Sequence, residues 1–379
     1  MAEIRQVQGH EMNEAIQLAD AVFRDAEQSS MAEAFPLVFS QSLGQSFGAF
    51  EQGKLVAFIG IVPTFMQVGL SRLPIYSLGA VCTHPDYRGK GYAGEILSAI
   101  QQFASKTPAS LIFISGDRSL YIRSHCYHFG SVKRYVLNSN SAQAITDRQA
   151  LSGYTVRQLE SRDWFSLNEV FASRKIRYEQ SISELASMIH AHAYASCVKL
   201  EHRVLVAEKD NRIQACVVVS VPNQFTYKRA PFTVETAGDA ALVSALLAHA
   251  FDAYLLPLLD IVVPWQDSQF HHELEVVNHQ DEKNSGTVYV VNPETLIEQL
   301  RPFLNEKNKA SSQAFRIQNL DGGHCQITMN HSSFELEPQE LVSLLFDVQP
   351  EYKAEPSIKD ALKMLFPIPL PYVSGLNYV

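Results

Sequence analysis

At 379 residues the chain is too long for one ordinary domain, and two or three are expected. Hydrophobic residues make up 46% and charged residues 19%, the balance of a globular protein rather than a disordered or fibrous one. A net charge of −9 offers nucleic acid or an anionic membrane no electrostatic attraction and slightly favours a cationic small substrate.

The N-terminus, "MAEIRQVQGHEMNEAIQLAD", has no apolar run, so no signal peptide is expected. Five scattered cysteines (82, 126, 197, 216 and 325), without a C-x-x-C pair, read as reduced thiols of a cytoplasmic protein. "AFEQGKLVAFIGIVP", from Ala49 to Pro63, is a strand, a polar turn at Gln52-Gly53 and an apolar strand, which makes a hairpin.

The segment "IYSLGAVCTHPDYRGKGYAGEILSAIQQFA", Ile75 to Ala104, carries the chemistry. It reads as a strand (75–83), a turn at Pro85, a glycine-rich loop (88–93) and a helix (94–104). Ile96, Leu97, Ile100, Phe103 and Ala104 share one face of that helix. A strand running through a glycine loop into a helix N-terminus aims backbone N–H groups at one point, a ready anion site. Gly89 and Gly91 permit close approach of the backbone. The spacing is neither the dinucleotide fingerprint nor the Walker loop. Gly79, inside the strand, marks a bulge or a close approach.

In "SLIFISGDRSLYIRSHCYHFGSVKRY" a short strand (110–114) leads through a loop (115–119) to Tyr121–Arg123 and a glycine-containing hairpin. His125, Cys126 and His128 lack the further ligands of a zinc site, so no metal is expected. Cys82 and Cys126 have no base partner visible in the sequence that would make either a nucleophile.

"NSNSAQAITDRQALSG" (138–153) reads as a polar linker. Beyond it, "AEKDNRIQACVVVSVP" (207–222) repeats the hairpin of the first segment, again behind a helical stretch. Residues 1–150 and 151–290 are therefore two copies of one α+β unit. In the second copy "ETAGDAALVSALLAHAF" stands in the loop position, with one glycine and Asp239 where an anion would sit: the scaffold without the site. The most apolar stretch, "ALVSALLAHAFDAYLLPLLDIVV", is interrupted by His249, Asp252, Pro257 and Asp260 and fails as a membrane span. Residues 291–379 form a third region with helices opening at Pro293, Pro338 and Pro356 and short strands near 315–317 and 326–329. The last residues, "FPIPLPYVSGLNYV", combine prolines that preset extended backbone with apolar side chains that favour docking.

Arg88-Gly89-Lys90-Gly91-Tyr92-Ala93 fits R-x-x-G-x-[GA]. With the preceding V-x-T-H-P-x-Y, it resembles the pyrophosphate loop of the GCN5-related N-acetyltransferases, which bind acetyl-coenzyme A. The resemblance implies that backbone groups of Val81, Cys82 and Thr83 pair with the pantetheine arm like an added strand. Arg88 to Gly94 would hold the pyrophosphate, and Ser115 and Gly116 complete the coenzyme set. L-Y-x-R resembles the family's Y-x-[RK]-x-G-[FY], which makes Tyr121 the general acid for the departing thiolate. The loop after it is one residue longer than the family's, which makes Tyr127 a rival.

Over the whole chain, the order of segments resembles the enhanced intracellular survival family. The fold implied is a mixed α+β chain of two tandem acyl-coenzyme A N-acyltransferase folds, the first active (1–150) and the second degenerate (151–290). A small sterol-carrier-like sheet-and-helix domain (291–379) follows. In that family the last carboxylate enters the first active site, so Val379 becomes the expected proton acceptor from the attacking amine. The activity implied is direct acetyl transfer to the amine of a small acceptor, polyamine-like or aminoglycoside-like, with Asp25, Glu27 and Glu33 either drawing cations or forming a solvated face. Acetylation of a protein lysine or N-terminus, and a non-catalytic acetyl-coenzyme A sensor, are the alternatives. A homo-oligomer is compatible with this organisation.

Overall fold

The computed structural model describes residues 2–330 and 332–379. Its strands are, in order, β1 (Glu3–Gln6), β2 (Phe47–Glu51), β3 (Lys54–Val68), β4 (Ser71–Thr83), β5 (Leu111–Ile114), β6 (Ser131–Leu137), β7 (Thr155–Gln158) and β8 (Ile176–Tyr178). There follow β9 (Leu200–Lys209), β10 (Arg212–Pro222), β11 (Phe232–Gly238), β12 (Leu259–Pro264), β13 (His279–Lys283), β14 (Thr287–Val290), β15 (Arg316–Asn319), β16 (Cys325–Met329) and β17 (Ser332–Leu336).

The first sheet has the order β1-β2-β3-β4-β5-β14, with β8 added to the end of β3; the second has the order β13-β6-β12-β11-β10-β9-β7. Each is antiparallel except for one parallel pair, β4 with β5 and β11 with β12. A helix crosses over each parallel pair, Tyr92–Ala104 in the first unit and Ala240–Ala253 in the second. The internal repeat is thus a repeat of topology. The third sheet, β15-β16-β17, is antiparallel.

Both hairpins form where their turns demand it, with Gln52 and Gly53, and Asp210 and Asn211, all at positive φ. The strands do not follow the expected ranges. β6, from within 1–150, lies beside β12 in the second sheet, whereas β14 returns to the first sheet beside β5. Each half therefore closes the other's sheet.

The stretch expected to be a linker is also ordered. Asn138 caps a helix, Ser139–Thr146, in a reciprocal capping box with Ser141. Its Ala142 and Ile145, three residues apart, are buried in the second core. A polar composition hid that one-sided apolar spacing.

The third region is joined to the first sheet by one continuous apolar cluster. Met66, Leu73, Leu111 and Phe113 pack with Leu300, Ile327, Leu345 and Phe366. From Phe366 onward the chain runs over the second unit and ends in the first: Ile368 and Leu370 belong to that shared core, Leu376 to the second unit's core, and Tyr378 and Val379 to the packing behind β3 and β4. Among the described residues no helix is long and apolar enough to cross a membrane.

Candidate active site

The parallel pair β4–β5 is the centre of the site. The two strands are paired from Ile75↔Leu111 to Leu78↔Ile114, and β5 then ends while β4 continues to Thr83. At the parting, β4 bulges: its register against β3 slips between Phe58 and Gly60, and Ala80 takes a φ of 51°. A left-handed φ at alanine is sparsely populated and marks local strain. Val81, Cys82 and Thr83, expected to hold pantetheine, lie on the stretch of β4 beyond β5, so their edge is open to an added strand.

The glycine loop follows. Gly89 and Gly91 both adopt positive φ, 80° and 88°, and Gly91 is the N-cap of helix Tyr92–Ala104. A Cβ on Gly89 would meet open space, so the glycine there serves conformation rather than clearance. Among the described residues, the amides of Gly89, Lys90, Gly91, Tyr92 and Ala93 find no backbone acceptor. Five N–H groups without a backbone acceptor, at the positive end of a helix, suit an anion. Lys90 pairs with Glu51 at 3.2 Å, Tyr92 donates its hydroxyl to the same carboxylate, and Arg88 Nε reaches the Thr83 carbonyl at 3.4 Å. These contacts hold the loop from both sides.

The equivalent helix end in the second unit is closed. Asp239 accepts hydrogen bonds from the amides of Ala241 and Leu242, each at 3.1 Å, so a side chain fills the place an anion would take. The second parallel pair is parted too, meeting at Phe232↔Asp260 alone among the described pairings. The C-terminal segment passes along it, with Gly375 against Glu235 and the carbonyl of Val234.

That segment delivers Val379 to the first unit. A Cβ built on Gly79 would lie 2.0 Å from the Val379 carboxyl carbon and 2.3 Å from its oxygen. The absence of a side chain at Gly79 is what admits the carboxyl group. Ser115 Oγ, just beyond β5, donates to the same oxygen at 2.6 Å. Ser115 thus touches the tail, whereas the sequence suggested the coenzyme. No ion pair among the described residues compensates this carboxylate. The preceding residues are pinned: Tyr378 packs against Phe35 and Tyr194, with ring centroids 6.1 and 4.8 Å away. Asn377 Oδ1 accepts from Gln180 Nε2 at 2.6 Å.

Tyr121 lies on the same loop system, in the short helix Ser119–Arg123. Its ring lies against Gly116, where a Cβ would come within 2.8 Å of Cε2. Burial pushes its pKa up to about 12, which keeps the hydroxyl protonated at neutral pH. Tyr127 sits elsewhere. It bridges Val288 in an isolated β-bridge, its hydroxyl meets His125 Nδ1 at 3.3 Å, and its ring packs on the third region's core. Burial also pushes the thiols of Cys82 and Cys126 up to about 12, away from the thiolate a nucleophile needs.

In front of Val379 lies a cavity of about 230 Å³. Residues from both halves line it: Phe35 and Val62 of the first, Glu184 and Met188 of the second. Nothing in the sequence pointed to the second unit here. "SISELASMIHAHA" reads as a helix start, and its capping box of Ser181 and Glu184 is present, but the helix's destination is a tertiary fact. The acidic candidates near the N-terminus do not line this cavity. Lys199 binds both Asp25, at 2.9 Å, and Glu27, and Glu33 is exposed.

Residues 3–123 match the family model described as Acetyltransferase (GNAT) domain. No match was found among curated protein sequences. Among solved structures, the chain is similar to Eis1 of Mycobacterium abscessus, with a TM-score of 0.64 at 12% identity over 98% of this chain and 99% of that one. It is also similar to a GCN5-related N-acetyltransferase of Kribbella flavida, with a TM-score of 0.60 at 13% identity over 91% and 89% of the two chains. A third, from Anabaena variabilis, has a TM-score of 0.60 at 10% identity over 91% and 89%. At such identities the likeness is one of fold. Residues 3–123 are thus similar in sequence to an acetyltransferase domain, and the likeness over the rest of the chain is one of fold alone.

Proposed function

We propose that the chain is an acetyl-coenzyme A-dependent N-acetyltransferase that transfers directly to the amine of a small acceptor. The observation that carries this reading is the convergence at the parting of β4 and β5. An open strand edge and five free amides lie on one side, and a carboxylate held by Gly79 and Ser115 on the other.

The roles follow from position. The amides of the 89–93 loop suit a pyrophosphate, and the free edge of Val81 to Thr83 suits an amide-bearing arm, which would bring a thioester to the parting. The Val379 carboxylate takes a proton from the acceptor's ammonium, leaving a neutral amine to attack the thioester carbonyl. A new C–N bond forms as the C–S bond breaks. The departing thiolate receives the Tyr121 proton; the carboxylate, having passed its first proton to water, takes the second proton of the amine, and the Tyr121 phenolate regains a proton from water. A base whose two preceding residues are held, Tyr378 by ring packing and Asn377 by a hydrogen bond, is pre-positioned for this step.

The test is release of free thiol from acetyl-coenzyme A by the full chain, with a panel of primary amines and with none. Release that depends on an amine supports the reading. Coenzyme binding by calorimetry without any amine-dependent release would make the protein a sensor instead, and no binding would remove the coenzyme site.

A further inference from the structure

We propose that the parted strands of the second unit hold a short peptide in extended form, at a site apart from the cavity before Val379. Beyond their one pairing at Phe232↔Asp260, β11 runs on to Gly238 and β12 to Pro264. Between them opens a cleft of about 440 Å³. That lies within the roughly 300–1,000 Å³ of small-molecule sites. Val243, Val262 and Phe270 give the cleft apolar walls, and the tail crosses it at Gly375.

The tail does not seal it. Among the described residues no backbone hydrogen bond joins residues 371–375 to β11. Arg174 closes one end, pairing with Glu235 at 2.5 Å and donating to the Thr236 carbonyl at 3.1 Å. Over Thr233 to Glu235 no described strand pairs with the side of β11 away from β10. A bare strand edge calls for alternating N–H and C=O groups, which a peptide supplies. Two buried atoms inside also lack partners among the described residues. Thr233 is 8% exposed with its Oγ1 unbonded, and Gln266 Oε1 is the second. Buried polar atoms are nearly always satisfied, so both point to a guest in the cleft.

The charges narrow its chemistry. Among the described residues Lys175 and Arg177 line the cleft without an ion pair, and Asp267 lines it holding the Phe270 amide at 3.3 Å but no cation. Walls of both signs suit a zwitterion. A diphosphate is turned away where the cleft reaches Gly238 and Ala240, because Asp239 already holds the amides of Ala241 and Leu242. A short peptide with free termini meets these terms, and the coenzyme does not.

The experiment is calorimetry and amide hydrogen exchange on the full chain with coenzyme A present, using trialanine as the probe. Binding should slow exchange within Thr233 to Gly238. N-acetyl-trialanine amide, which lacks both charges, should bind several-fold more weakly. Thr233→Val should weaken trialanine roughly three- to tenfold, with the melting temperature unchanged or higher because no protein hydrogen bond is lost. Lys175→Glu, at an exposed residue, should weaken trialanine but not the capped peptide. No binding, slowed exchange confined to the first unit, or pantetheine binding as tightly as trialanine overturns the proposal. So does unchanged trialanine affinity in both variants. The site needs no turnover, so its test is separate from that of the transferase.

Discussion

Gly79→Ala adds one methyl group at the point where the Val379 carboxyl group rests. The built Cβ lies 2.0 Å from the carboxyl carbon and 3.1 Å from Cα of Val379. Nonbonded carbons settle at roughly 3.5–4.0 Å, so the carboxyl group must retreat by roughly 1.5 Å or more. The three nearest atoms to the new methyl all belong to Val379, so the tail is what has to yield. Gly79 is not among the glycines at positive φ, and alanine fits its backbone without strain. Replacing a strand glycine by alanine otherwise stabilises by about 0.5–1 kcal/mol. Function and stability are thereby predicted to move in opposite directions.

A displacement of about 1 Å can cost roughly 100-fold in rate, and complete loss of a general base roughly 10²–10⁴-fold. We expect kcat for thiol release to fall at least roughly 100-fold, with the melting temperature unchanged or higher and calorimetric affinity for acetyl-coenzyme A nearly unchanged. The same substitution in a chain lacking Val379 is the control. Both lesions strike one contact, so the double variant should be no slower than the worse single one. Full kcat in Gly79→Ala, or losses that multiply in the double variant, would refute the reasoning.

Tyr121→Phe removes a hydroxyl with no protein hydrogen bond among the described residues, and should lower kcat roughly 10²–10⁴-fold while coenzyme affinity stays constant; the same loss in Tyr127→Phe instead would move the acid. Gly91→Asp places a carboxylate and a disfavoured φ of 88° at the anion cradle, so calorimetry should show severely weakened acetyl-coenzyme A binding in a folded protein. Amidating the Val379 carboxyl group changes one charge and almost no volume, and should abolish most turnover without altering coenzyme binding; an active amide would leave the tail a packing role alone. His202 is 5% exposed, and burial beside His192 pushes its pKa down to about 3. It is neutral when folded but titrates near 6.5 when unfolded, so its contribution is intact above about pH 6.5 and is lost as pH falls toward about 3. Denaturant unfolding should show His202→Phe losing up to about 3 kcal/mol less than the parent between about pH 7 and pH 4, and equal losses would count against this.

What was legible in the sequence is what short-range physics decides. The glycine loop, both hairpin turns and the Pro-opened helices at 293, 338 and 356 appear where local signals place them. Asp239 is of the same kind, since an N-cap acts within three residues. Asn138 was legible in principle, but its polar neighbours outweighed the spacing of Ala142 and Ile145. The exchange of β6 and β14 left no mark, because "SVKRYVL" and "TVYV" read as strands whichever sheet receives them. The second unit's share of the cavity was hidden for the same reason: Met188 and Ala193, on two successive helices, are ordinary buried apolar residues whose neighbours are set by tertiary packing.

The exchanged strands also govern how this chain can be taken apart. A fragment cut at residue 150 would keep β5, whose Leu-Ile-Phe-Ile is buried throughout, but lose β14 from its outer edge. It would present an unsatisfied apolar strand, a template for association with other chains. The complementary fragment would bare β12 in the same way, having lost β6. Neither half is a module that could be shuffled or cut out on its own. The unit without an anion cradle supplies a sheet margin, a wall of the cavity and a track for the tail, so the candidate site of the first unit is incomplete without it.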